Sequence, residues 1–131
     1  MTARQHHPAP TDHSSPAQLG WQAAEAIRTL NHLTHPPTAA DPNEVYELLA
    51  ALAAMAYRLP QLLGQLSRWL QAEHAAGKLR ADPPADPPAD PAEVTTGAAH
   101  AFTLAGHATT CLAEALDSAQ QHLAQLAGQH P

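Results

Sequence analysis

Residues 45–70 read VYELLAALAAMAYRLPQLLGQLSRWL, and this stretch decides the fold. Four apolar residues recur in it every seven positions: Val45, Leu52, Leu59 and Leu66. Apolar residues also fill the positions between them: Leu48 or Leu49, Met55 or Ala56, Leu62 or Leu63, and Trp69 or Leu70. A sustained repeat of this kind is typical of a coiled-coil-like helix that packs along one stripe. It predicts a helix over about 42–76.

Pro60 interrupts this stretch without shifting the repeat. Proline removes one backbone hydrogen bond and clashes with the carbonyl four residues back, at a cost of about 3 kcal/mol or more in a straight helix. Because the repeat keeps its phase on both sides, we expect a single helix that is kinked at Pro60. Gly77 is expected to end it.

A start signal that occurs three times indicates where the helices begin. It reads Ser15-Pro16-Ala17-Gln18, Asp41-Pro42-Asn43-Glu44 and Asp90-Pro91-Ala92-Glu93. Each copy places a capping oxygen first, a proline at the first helical position, and Gln or Glu at the third. We therefore expect helices from about residues 16, 42 and 91, of which the first ends near 34 and the last near 127.

The last predicted helix has a thinner apolar seam than the second. One heptad column holds Thr95, Phe102, Thr109, Leu116 and Leu123, and the other holds Ala98, Ala105, Leu112, Ala119 and Leu126. The alanines within and beside these columns allow another helix to approach closely. We expect a helix interface at Ala98, Ala101, Phe102, Ala105, Ala108, Leu112, Leu116 and Leu123.

The segments between the helices complete the predicted organisation. Residues 1–14 have no apolar periodicity and are expected to form a disordered tail. Residues 81–92 repeat Ala-Asp-Pro-Pro and predict a stiff spacer. The expected fold is all-α: an antiparallel hairpin of two long helices plus a shorter N-terminal helix. This would be a three- to four-helix bundle forming one domain over 15–131.

Charge and composition exclude several classes of function. The formal net charge is −6, and no Lys or Arg follows Arg80, so the last helix cannot supply the basic stripe that nucleic acid requires. A single cysteine, Cys111, and a start without an apolar signal region indicate a cytoplasmic protein. Abundant Ala, Pro and His beside almost no Lys or Ile is typical of a GC-rich bacterial genome.

Residues that could ligate a metal are spread along the last helix: His100, His107, Cys111 and Glu114. Zinc accepts these ligand types. However, His100, His107 and Glu114 occupy the heptad position opposite the seam, which favours a solvated or partner-facing strip.

The sequence has no Glu-x-x-His pair, phosphate loop or nucleophile motif. We therefore expect no enzyme and no cofactor. The alternative is a small ligand- or metal-binding bundle that uses His100, His107 and Cys111.

Long stretches without charge point to the mode of action. Residues 94–113 contain no Asp, Glu, Lys or Arg, and residues 48–67 contain only Arg58. Histidines and threonines make the first stretch too polar for a membrane span. A helix on the surface of a small bundle normally carries charges, so we expect burial against another chain. The sequence predicts an adaptor, assembly or regulatory protein that self-associates or docks onto a helical partner.

Overall fold

A computed structural model of the chain describes residues 14–35, 41–80 and 88–127. Within these ranges the chain forms three helices and no strand: α1 (Pro16–Leu33), α2 (Pro42–Ala75) and α3 (Pro91–Ala127). The all-α prediction is confirmed, and the helices begin at the three predicted prolines. Residues 1–13 of the predicted tail and 81–87 of the predicted spacer lie outside the described residues. The last two spacer residues, 91 and 92, belong to α3.

The start signals work as capping interactions. At α1 the Ser15 hydroxyl accepts a hydrogen bond from the Gln18 N–H (3.1 Å), and the Gln18 side chain accepts one from the Ser15 N–H (2.8 Å). Asp41 accepts from the Asn43 N–H at 3.1 Å. At α3 the Asp90 carboxylate accepts from the Ala92 N–H at 3.0 Å. Each cap satisfies a backbone donor that has no partner inside the helix, which fixes the starting residue.

The end of α2 depends on Gly77, as the sequence predicts. Gly77 has a φ of 72°, a left-handed conformation that glycine adopts without the steric cost of a Cβ atom. Its N–H donates to the His74 carbonyl, and the Lys78 N–H donates to the Glu73 carbonyl, both at 3.0 Å. These two bonds form a Schellman motif, so the turn satisfies two carbonyls that the last turn of the helix leaves free.

We expect Gly77→Ala to lower the free energy of unfolding by about 1 kcal/mol, because an added Cβ penalises the left-handed conformation. Gly97→Ala is the matched control. A Cβ at Gly97 meets nothing within 4 Å, and Gly97 lies inside α3, so this change should stabilise the protein by about 0.5–1 kcal/mol. Urea unfolding followed by circular dichroism measures both values. Equal effects of the two substitutions would contradict the role given to Gly77.

The chain divides into two compact units, one containing α1 and the other containing α2 and α3. No residue of α1 is buried. In the second unit α2 packs against α3, and Val45 and Leu49 near the start of α2 lie beside Leu123 and Leu126 near the end of α3. The prediction of a single domain over 15–131 stays a prediction.

The contact between α2 and α3 is built from small side chains. The buried residues of the described chain are Ala53, Ala56, Thr95 and Ala113. Ala113 is 0% exposed, and the Thr95 hydroxyl donates to the Pro91 carbonyl at 2.7 Å, which satisfies it inside the contact. Larger side chains along both helices are only half-buried. The contact is therefore most fully buried where side chains are short, and its core is thin.

The structure resolves the paired positions that the sequence leaves open in α2. The second member of each of the last three pairs packs toward α3: Ala56, Leu63 and Leu70. Their neighbours Met55, Leu62 and Trp69 are exposed. Pro60 lies inside the continuous helix and is half-buried.

The buried seam departs from the strict heptad in the second half of each helix. Leu66 is exposed while Ser67 is half-buried, and Leu112 is exposed while Ala113 is buried. An α-helix has 3.6 residues per turn, so a straight helix drifts by about 20° per heptad from a repeat of 3.5. The contact therefore moves to the next residue after a few turns.

Candidate interaction surface

The outer surface of the α2–α3 unit divides into two faces on either side of the seam. Successive helical residues are about 100° apart, so a residue just before a seam position lies on one side and a residue just after it lies on the other. Met55 and Ala108 precede seam residues, whereas Tyr57 and Asp117 follow them. We call the preceding positions the apolar face and the following positions the polar face.

A hydrogen bond between the helices shows which positions share a side. The Tyr57 hydroxyl donates to the Asp117 carboxylate. Both residues directly follow a seam residue, Ala56 in α2 and Leu116 in α3. Following positions of the two helices therefore lie together, and preceding positions lie together on the opposite side.

The apolar face carries exposed large apolar side chains on both helices, with alanines between them on α3. The α2 residues are Ala51, Met55, Leu62, Leu66 and Trp69, and the α3 residues are Val94, Ala101, Leu104, Ala108, Leu112, Ala115, Ala119 and Leu126. Trp69 is 58% exposed and Leu62 is 49% exposed. Arg58 lies at the margin, beside Leu59. A contiguous apolar surface of this kind marks an interaction site more often than isolated exposed residues do.

A shallow groove continues this face toward the start of α2. Its walls come from both helices: Val45, Leu49, Ala115, Ser118, Ala119, His122, Leu123 and Leu126. Ala115, Ala119 and Leu126 belong to the apolar face as well. The groove and the apolar face therefore form one continuous apolar surface.

The polar face contains the tyrosine–aspartate pair and its neighbours. The hydrogen bond from Tyr57 to Asp117 raises the pKa of Tyr57 above its ordinary value of 10.0. Partial removal from water and the negative charges of Asp117 and Glu114 act in the same direction, because each disfavours the phenolate. Deprotonation of Tyr57 would also remove the donor, so the pair links α2 to α3 only while the phenol is neutral.

The predicted interface residues fall into two groups. Five are half-buried in the contact between α2 and α3: Ala98, Phe102, Ala105, Leu116 and Leu123. Three are exposed on the apolar face: Ala101, Ala108 and Leu112. The second group is available to another molecule, whereas the first is largely used inside the chain.

The four metal-ligand candidates are all exposed on α3: His100, His107, Cys111 and Glu114. Among the described residues, no three His, Cys, Asp or Glu side chains are grouped so that they could hold a metal ion. Ligand or metal binding through His100, His107 and Cys111 stays a prediction. Cys111 lies opposite the seam, and its thiol forms no disulfide.

Comparison with known proteins finds no match to a family model, a curated protein or a solved structure. None of the described helices combines the length and the apolar character needed to cross a lipid bilayer.

We expect the Tyr57 phenol to ionise at higher pH in the folded protein than in the unfolded chain. Tyr46→Phe leaves Tyr57 as the sole tyrosine, so tyrosinate absorbance then reports one group. Adding Asp117→Asn should lower that pKa, because the substitution removes the anionic acceptor and its charge.

The sign of the pH dependence follows from the raised pKa. The stability that this pair contributes is present in full below the unfolded pKa and is lost as pH rises through the folded pKa. Asp117→Asn should therefore lower the free energy of unfolding at neutral pH. It should also make that free energy fall less steeply as the pH rises through the alkaline range. An unchanged titration of Tyr57 in Asp117→Asn would contradict the assigned bond.

Proposed function

We propose that this protein is a non-enzymatic helical interaction protein that works as an adaptor, assembly or regulatory subunit. The apolar face would be its contact surface, for self-association or for a helical partner. The observation that supports this is the row of exposed Met, Leu and Trp side chains on α2 beside the exposed alanines of α3. An exposed, unpaired Cys111 fits a reducing compartment, which supports a cytoplasmic location.

The thin core supports this proposal energetically. Fully burying a Leu, Met or Val side chain contributes roughly 1.5–3 kcal/mol, so covering one that is half exposed contributes about half as much. The large residues of the apolar face are Met55, Leu62, Leu66, Trp69, Val94, Leu104, Leu112 and Leu126. Together they can offset the association cost of about 4–15 kcal/mol.

We also propose that α2 and α3 form an antiparallel hairpin with α2 kinked at Pro60. The residues near the start of α2 lie beside those near the end of α3, which supports the antiparallel direction. Proline inside a continuous helix supports the kink, because its ring removes a hydrogen bond to the Ala56 carbonyl.

We expect the chain to self-associate at micromolar concentration and Ala108→Glu to weaken that association, because the variant buries an unpaired charge. Thr103→Glu is the matched control: Thr103 is exposed, lies on the same helix and follows the seam residue Phe102, so it belongs to the polar face. Sedimentation velocity over a concentration series compares the parent chain with both variants. The same loss in both variants would contradict the assignment of the two faces.

A monomeric parent would require a second measurement. In a Trp21→Phe chain, Trp69 is the sole tryptophan, and iodide quenching reports its access to solvent. An accessible Trp69 in the monomer would leave the face for a different partner. A shielded Trp69 would show that the chain covers its own apolar face, and the proposed function would then be wrong.

Pro60→Ala tests the kink. The alanine N–H can bond to the Ala56 carbonyl and straighten α2, so we expect the apolar face to lose its shape and association to weaken by about tenfold. Sedimentation and thermal unfolding measure the two effects. A variant with higher stability and unchanged association would show that the bend has no role in assembly.

A further inference from the structure

We draw no further inference here: the strongest candidate, the apolar face of the α2–α3 unit together with the shallow groove that continues it, already belongs to the proposed function, and nothing in the structure shows what covers it.

Discussion

The packing of α2 against α3 at alanine positions is the constraint on which the rest of the structure depends. Ala53, Ala56 and Ala113 are buried, and the larger residues nearby reach only partial burial. Two helix backbones can come close only where side chains are short. The same shortness limits how much apolar area the contact can bury, so the unit gains a defined geometry but only a thin core.

That constraint explains why an apolar face remains outside. Along α2 the sequence places two apolar residues side by side at every turn of the repeat, such as Met55 with Ala56 and Leu62 with Leu63. Successive residues lie about 100° apart, so only one member of each pair can point toward α3. The other member forms a second stripe on the surface, where Met55 and Leu62 stay exposed.

The sequence allowed some parts of this fold to be predicted and left others open, for physical reasons. Helix starts were predictable because Ser15, Asp41 and Asp90 act through contacts only two or three residues away. The choice between Met55 and Ala56 was not, since both are apolar and the decision depends on how near α3 comes. The shift from Leu112 to Ala113 follows from helix drift, which becomes visible only once the straightness of the helix is known.

The bond between Tyr57 and Asp117 was missed because its residues are sixty positions apart. The sequence does contain a signal for this bond in the position of each residue relative to the seam. Each residue directly follows a seam position, and on adjacent helices such positions share a side. Once that side is identified, the positions with polar groups and those with apolar groups separate into two faces.

A two-helix unit with one apolar face resembles a layer that has a core on one side only, and a layered fold becomes stable when such a face meets another. The shape of that face matters beside its total apolar area, because area sets how strongly two faces attract whereas shape sets which faces fit.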